Sequence, residues 1–262
     1  MARSRYAIWQ TGHALLLLLC SQLALAAEAP APSEAVSTVN PEQYWQSQDW
    51  QQSGEAKQIG EQWTLFHKSN QGYRLGLALL LPDWQQVADL LPLSRHLNEQ
   101  GFDTLFLLPD PRQLELDPYD EKDQIRIEAF RELWLRQLAN LQTNSGEPSG
   151  YQLLIAAGSS AAWLAGELKQ DGVTPPDGLI LIDAFYPAAE SNAVLAEEIA
   201  KATMPVLDLY QQGKSGWLDQ AARERALATR RENKLDWRQI PLQSQAQRLD
   251  QVVGWLRLQG IK

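Results

Sequence analysis

The 262-residue sequence is poor in the residues that form disulfides and bind transition metals, with one cysteine and three histidines. A single cysteine excludes an intramolecular disulfide and a cysteine-based zinc cluster. Basic residues are also in the minority, because 23 lysines and arginines face 32 aspartates and glutamates and give a net charge of −9. An acidic chain repels polyanions, so nucleic acid is not a predicted partner. We predict no cofactor and no metal ion.

The N-terminus has the three parts of a secretory signal peptide. Arg3 and Arg5 provide a positive start, an apolar run follows from Ala14, and Ala24-Leu25-Ala26 matches the A-x-A cleavage pattern. We predict that residues 1–26 are removed. The mature protein is then expected in the periplasm and not as an integral membrane protein.

Two alternatives remain open for this segment. In one, Cys20 is the lipidated residue of a lipoprotein signal, although Leu19 is bulkier than the small residue required before it. In the other, the segment is an uncleaved anchor, although its apolar run is short for a membrane span. Cleavage removes Cys20 and His13, which leaves His67 and His96 as the histidines of the mature chain.

The mature sequence predicts a leader and a single domain. Residues 27–41 are rich in Ala, Pro, Ser and Glu, a composition typical of a flexible segment. Residues 42–60 carry Trp45 and Trp50 among glutamines and predict a short helix packed on the domain. No linker interrupts the remainder, so we predict one domain over residues 42–262.

Seven apolar runs in this domain predict β-strands. Several of them, such as LALLL and TLFLL, are continuous rather than alternating, which is typical of strands buried on both faces of a parallel sheet. The turn-forming residues 69–72 (SNQG) separate the first two runs and predict an antiparallel hairpin. The predicted strands cover residues 63–67, 74–81, 103–108, 151–157, 178–183, 205–209 and 235–240.

Segments of helical periodicity alternate with these strands. Pro92 suits the first turn of a helix that ends near Gly101. Further helices are predicted over about 120–142, 160–168 and 216–232 and near the C-terminus. The alternation predicts an α/β three-layer sandwich with a mostly parallel sheet and a leading antiparallel hairpin.

The segment that bears most on function is LLIAAGSSAAWLAGEL at residues 153–168, a strand followed by small residues and a helix. Gly158-Ser159-Ser160-Ala161-Ala162 fits G-x-S-x-small, a relaxed nucleophile elbow, in which strained backbone presents a serine hydroxyl at a helix N-terminus. Ser160 is therefore the candidate nucleophile. Ser159 is an alternative, because it too has small residues two places away. A serine that only caps the helix is a second alternative.

Four stretches together resemble a domain-of-unknown-function family of exported proteobacterial proteins with the α/β-hydrolase fold. They are LALLLPDW at 77–84, GFDTLFLLPD at 101–110, GYQLLIAAGSSAAWLA at 150–165 and MPVLDLY at 204–210. They lie within residues 60 to 258. The resemblance implies an α/β-hydrolase fold more firmly than it implies any activity.

The resemblance also shows which catalytic parts differ in this chain. In active hydrolases of the fold, a His-Gly pair after the strand before the first helix helps to bind the oxyanion, and here that place is Pro82-Asp83. Proline has no N–H to donate, and a carboxylate repels an oxyanion. The base histidine is expected near residues 241–247 (PLQSQAQ), which contain none. Without a base, a serine hydroxyl is a weak nucleophile.

Other candidates lie at the ends of further predicted strands, where open parallel sheets bind ligands. Asp183 is the candidate acid, and Lys214 is a candidate base in a Ser-Lys arrangement. The candidate ligand contacts are Trp84, Asp83 and Ser159.

A cluster of cations, which we call the basic block, stands out in this acidic chain. It consists of Arg223, Arg225, Arg230, Arg231, Lys234 and Arg238. An anionic envelope component, such as lipid head groups, is a candidate partner for it, and a solvated helix face is the alternative.

We interpret the sequence as a periplasmic α/β-hydrolase-like protein, a degenerate or atypical serine hydrolase with an elbow serine but no triad histidine. It is expected to bind an unidentified small or acyl-bearing ligand, and any activity is expected to be that of a serine esterase. The alternative is a non-catalytic envelope protein that binds or scaffolds a partner.

Overall fold

The computed structural model describes residues 56–59, 62–83, 86–108, 116, 122–129, 132, 150–165, 175–244 and 246–261. All of them belong to one compact unit, residues 41–262. The predicted signal peptide, the leader, residues 42–55 and Trp84 lie outside the described residues. Within these ranges, no helix has the length and apolar character needed to cross a membrane.

The described strands form one eight-stranded sheet. They are β1 (Ala56–Ile59), β2 (Gln62–His67), β3 (Gly76–Leu81), β4 (Phe102–Leu107), β5 (Tyr151–Ala157), β6 (Gly178–Ile182), β7 (Val206–Gln211) and β8 (Trp237–Leu242). Their order across the sheet is β1-β2-β4-β3-β5-β6-β7-β8. Neighbours from β4 to β8 are parallel, whereas β1–β2 and β2–β4 are antiparallel. The predicted mostly parallel sheet with antiparallel pairing among its leading strands is confirmed.

Helices cover both faces of this sheet. They are α1 (Val87–Glu99), α2 (Gly158–Ala165), α3 (Ala189–Lys201), α4 (Gly216–Arg231) and α5 (Ala246–Leu258), and residues 122–129 are also helical. Alternate residues of β3 separate the two cores, because Leu80 packs with α1 and α5 while Leu79 packs with α2 and α3. Burial of apolar residues on both faces explains why the strand sequences are continuous apolar runs. The predicted three-layer sandwich is confirmed.

The partner of β2 differs from the prediction. We expected residues 63–67 and 74–81 to form a hairpin through residues 69–72, but β2 pairs with β1 and β4, and β3 lies between β4 and β5. Side chains of α1 and β4 hold the segment that follows β2. The Ser69 N–H donates to Asp103 Oδ1 at 2.8 Å, and Asn98 Nδ2 donates to the His67 carbonyl at 3.0 Å. The prediction that the chain reverses between β2 and β3 was therefore correct, and the prediction that these two strands pair with each other was wrong.

Two helix predictions also need correction, and one helix was not predicted. Residues 56–59 are strand β1 rather than the end of a helix, because they pair with residues 62–65. Helix α1 begins at Val87, so Pro92 lies inside it and not in its first turn. Helix α3 was not predicted at all, although its buried positions Leu195, Ala196, Ile199 and Ala200 have helical spacing.

A buried ion pair joins β7 to α4. Arg225 Nε donates to Asp208 Oδ2 at 2.8 Å and Nη2 donates to Oδ1 at 3.0 Å, and both side chains are 0% exposed. Arg225 Nη1 donates to the Ala184 carbonyl, and Gln239 Nε2 donates to Asp208 Oδ2 at 2.8 Å. Each carboxylate oxygen therefore has a charged donor, which is the condition under which a buried charge is tolerated.

Candidate functional site

The carboxyl ends of β3, β5, β6 and β7 meet at one side of the sheet, which we call the carboxyl edge. Leu81 pairs with Ala156, Ala157 with Ile182, and Ile182 with Leu209, so the residues that follow these strands lie at the same level. Asp83, Gly158, Asp183 and Lys214 are therefore brought to this edge. In open parallel sheets this is the edge at which ligands bind.

Strand β5 passes directly into α2 through a sharp turn over residues 156–160, which we call the elbow turn. Gly158 adopts a left-handed backbone conformation, with φ of +56°. In a nucleophile elbow, the serine occupies the strained position between strand and helix. Here Gly158 occupies that position, and Ser159 and Ser160 follow it in the helix. The sequence left Ser159 and Ser160 open as the elbow residue, and the structure places neither at the strained position.

Ser160 lies inside the protein at the elbow turn. Its side chain is 1% exposed, and its hydroxyl donates to the Pro82 carbonyl at 3.0 Å. This bond ties the start of α2 to the end of β3. Ser159 is half-buried, and its backbone N–H donates to Asp83 Oδ2 at 3.4 Å.

The Asp83 carboxylate lies directly against the elbow turn. The residue is 8% exposed, and its Oδ1 accepts the Gln86 N–H at 3.1 Å. A Cβ atom added to Gly158 would lie 1.7 Å from Asp83 Oδ2 and 2.5 Å from its Cγ. The carboxylate therefore fills the space into which a side chain at residue 158 would project.

Asp183 and Lys214 contact each other at the same edge. Asp183 is buried, has a φ of +50°, and accepts the Gln211 N–H at 2.7 Å through Oδ1. Its Oδ2 accepts a hydrogen bond from Lys214 Nζ at 3.0 Å, while the lysine side chain remains partly exposed. The candidate acid and the candidate base thus form an ion pair with one another, and the hydroxyl of Ser160 bonds to a carbonyl instead.

Arg248 is a further charged residue near this edge, which sequence analysis missed. It is buried in the first turns of α5, and its Nη1 donates to the Asp89 carbonyl at 3.2 Å. Burial lowers the pKa of Arg248, and the negative charges of Asp183 and Asp89 oppose that shift. Among the described residues, its Nε has no hydrogen-bond partner. The sequence signal for its burial was its spacing. Arg248 lies four residues before the buried Val252, which places both on one face of the helix.

Both described histidines lie away from the carboxyl edge. His67 ends β2, which is antiparallel to β4, and it pairs with Thr104 near the start of β4. His96 lies in the last turn of α1, which leads back to the start of β4, and its Nδ1 is 3.1 Å from Glu99 Oε2. Neither histidine is placed to accept a proton at the elbow turn. No group of three or more potential metal ligands occurs in the part of the chain that the structure describes.

The basic block is only partly a surface feature. Arg225 is buried with Asp208, and Lys234 Nζ donates to the carbonyls of Ala202 at 2.7 Å and Met204 at 2.9 Å. Arg231 contacts Glu197 at 3.3 Å. Arg225 and Lys234 are thus committed to internal contacts, whereas the pair of Arg231 with Glu197 is exposed.

Solved structures with the same architecture are α/β hydrolases. A lipase/esterase from Lactobacillus plantarum superposes with a TM-score of 0.57 at 11% identity, covering 79% of this chain and 97% of that one. Esterase 2 of Thermogutta terrifontis gives a TM-score of 0.53 at 11% identity, with 80% and 96% covered. A predicted CIB-like hydrolase from Thermoplasma acidophilum gives 0.53 at 11% identity, with 78% and 97% covered. The fold of this protein is therefore the α/β-hydrolase fold.

The sequence also identifies a family within that class. Residues 118–258 match the family described as protein of unknown function, DUF3530, and the chain belongs to this family. The match spans more than half of the chain and includes the elbow turn, Asp183, Lys214 and Arg248. Comparison with curated proteins gives no match.

Proposed function

We propose that this protein is a degenerate member of the α/β-hydrolase fold that acts by binding and not by serine hydrolysis. The observation that carries the proposal is Gly158, which occupies the strained position of the elbow turn with φ of +56°. A glycine there has no atom that can attack a substrate carbonyl. Catalysis by covalent acylation requires a nucleophile at this position with a base in reach.

The surroundings of Gly158 support the same conclusion. Acyl transfer creates a negative oxygen that needs hydrogen-bond donors. The Ser159 N–H already donates to Asp83 Oδ2 at 3.4 Å, and the carboxylate would repel a second anion. Ser160 is engaged with the Pro82 carbonyl, and Lys214 is engaged with Asp183. Lys214 is partly exposed at this edge beside the buried charges of Asp183 and Arg248, which makes the carboxyl edge better suited to a polar ligand than to an acyl ester.

Labelling with a fluorophosphonate probe tests the absence of a nucleophile. The purified mature protein is incubated with the probe beside an active serine esterase, and adducts are located by mass spectrometry. We expect no adduct on the wild-type protein. An adduct on Ser159 or Ser160 that Ser159→Ala or Ser160→Ala abolishes would overturn the proposal. Ser244→Ala, at a serine outside the elbow turn, is the matched control.

We also propose that the protein works in the periplasm. The proposal is supported by the positive start, apolar run and A-x-A pattern of residues 1–27. Fractionation of cells that express the full chain tests it, with a chain lacking residues 2–26 as the control. We expect the full chain in the periplasmic fraction with Ala27 as its new N-terminus. Retention of an uncleaved chain in the membrane or cytoplasm would contradict the proposal.

A further inference from the structure

The two oxygens of the Asp83 carboxylate have different neighbours. Oδ1 accepts the Gln86 N–H at 3.1 Å, and the Asp83 carbonyl accepts the same N–H at 3.1 Å, so this half of the side chain shapes the turn that leads into α1. An Asn side chain can make such a local contact as well, and a Ser side chain can make it more weakly. Oδ2 instead accepts the Ser159 N–H, from a residue 76 positions away in the sequence. The local turn uses only Oδ1, so it does not explain the position of Oδ2 at the elbow turn.

The second oxygen lies where a side chain of residue 158 would begin. An added Cβ would be 1.7 Å from Oδ2, 2.5 Å from Cγ and 3.3 Å from Cβ of Asp83. Carbon and oxygen atoms that are not bonded lie about 3.5 Å apart, so the two side chains exclude each other. Oδ2 also accepts the Ser159 N–H, which follows residue 158. In active hydrolases of this fold, the N–H that follows the nucleophile is one of the donors to the negative oxygen formed in acyl transfer.

We propose that Asp83 is an internal ligand of the elbow turn. Its carboxylate takes both the volume of the missing nucleophile and the N–H that would bind an anion, and so closes this part of the carboxyl edge to acyl and carboxylate groups. The inference rests on the proposed function and adds a second determinant to it. Gly158→Ser alone would not create an elbow serine, because the new side chain and the Asp83 carboxylate need the same space.

A double-mutant cycle between residues 83 and 158 tests this inference. Asp83→Ala removes both Oδ2 and Cγ and leaves only the Cβ of residue 83, which is 3.3 Å from the added Cβ, whereas Asp83→Asn fills the same volume as the carboxylate. Gly158→Ala is measured in the wild-type, Asp83→Asn and Asp83→Ala backgrounds by urea unfolding. We expect its effect on the folded-to-unfolded ratio to be at least about tenfold smaller in Asp83→Ala than in the other two backgrounds. Equal effects in all three backgrounds would overturn the inference.

Gly213→Ala provides a control that needs no change at residue 83. Gly213 also has a left-handed backbone, with φ of +78°, but, apart from its chain neighbours, no described residue has an atom within 4 Å of its added Cβ. In the wild-type protein we expect Gly158→Ala to lower the folded-to-unfolded ratio about tenfold more than Gly213→Ala. Equal effects would mean that backbone strain alone explains the glycine, and would refute the internal ligand even if Asp83→Ala does not fold. An adduct in the labelling experiment would refute the proposed function and leave this cycle unaffected.

Discussion

Replacement of Arg225 by methionine should strongly destabilise the protein. Methionine fills much of the arginine volume but leaves the Asp208 carboxylate, which is 0% exposed, with Gln239 Nε2 as its remaining donor among the contacts described above. Removing one partner of a buried ion pair costs about 3–5 kcal/mol, because the other charge stays out of water without compensation. The Ala184 carbonyl also loses its donor. We therefore expect Arg225→Met to lower the free energy of unfolding by at least about 3 kcal/mol.

Urea unfolding followed by far-UV circular dichroism measures this effect. Arg223→Met is the matched control, because Arg223 is exposed on the same helix and, among the described residues, its side chain donates to the Asp219 carbonyl. Its substitution should change stability by about 0.5 kcal/mol or less. The double variant Arg225→Met with Asp208→Leu removes both charges and should recover most of the lost stability. A cost below about 1 kcal/mol for Arg225→Met, or a double variant no more stable than the single one, would refute the reasoning.

Two further predictions concern other positions. Burial raises the pKa of Tyr210 above its ordinary 10.0, and the negative charges of Asp208 and Asp219 raise it further. The unfolded chain thus loses this proton at a lower pH than the folded protein, so stability should fall as the pH rises above 10, and Tyr210→Phe should reduce that fall in unfolding titrations. Gly76→Ala should abolish soluble expression, because its Cβ would lie 1.9 Å from the Tyr151 carbonyl in the β3–β5 pair. The added Cβ of Gly72→Ala meets no atom of the described residues within 4 Å beyond its chain neighbours, so this variant should be expressed normally. Similar yields for both variants would contradict this prediction.

The order of strands and helices was largely predictable because it follows from local patterns. Residues 151–157 were predicted as a strand with the bounds that the structure shows, because an apolar run ends there at small residues. The partner of β2 was not predictable in the same way. The sequence SNQG favours a reversal of the chain, but which strand lies beside β2 depends on contacts with Asn98 and Asp103, more than 30 positions away.

The elbow turn shows a finer limit of sequence analysis. The run Ala156-Ala157-Gly158-Ser159-Ser160 contains small residues throughout, so a motif of small neighbours fits more than one register. The position of the left-handed residue decides the register, and it depends on where β5 ends against β3 and β6. Glycine adopts this conformation at little free-energy cost, whereas the Cβ atom of serine makes it unfavourable. The sequence signal was therefore Gly158 itself, because it is the residue of this run that most readily adopts a left-handed conformation.

Buried charges were the second feature that local patterns did not resolve. Asp208 interrupts the apolar run VLDLY, which predicts a carboxylate inside the sheet and therefore a buried partner. The sequence did not show that this partner is Arg225, because α4 contains several arginines and the sequence alone does not say which of them points toward β7. Arg225, Ala228 and Thr229 are buried in α4, and this stripe identifies Arg225 as the inward cation only once the helix is placed on the sheet.

The contact between Asp83 and the elbow turn also has an evolutionary consequence. Regaining a nucleophile would require a side chain at residue 158, but that change on its own collides with the carboxylate at 1.7 Å. Losing the carboxylate first opens the space yet confers no chemistry, and a proton acceptor would still have to arise at an edge where neither described histidine lies. Each intermediate would be less stable or no more active than its parent. Under the proposed function, a nucleophile could therefore occupy residue 158 only after a change at residue 83, so the order of the two substitutions is fixed by their contact.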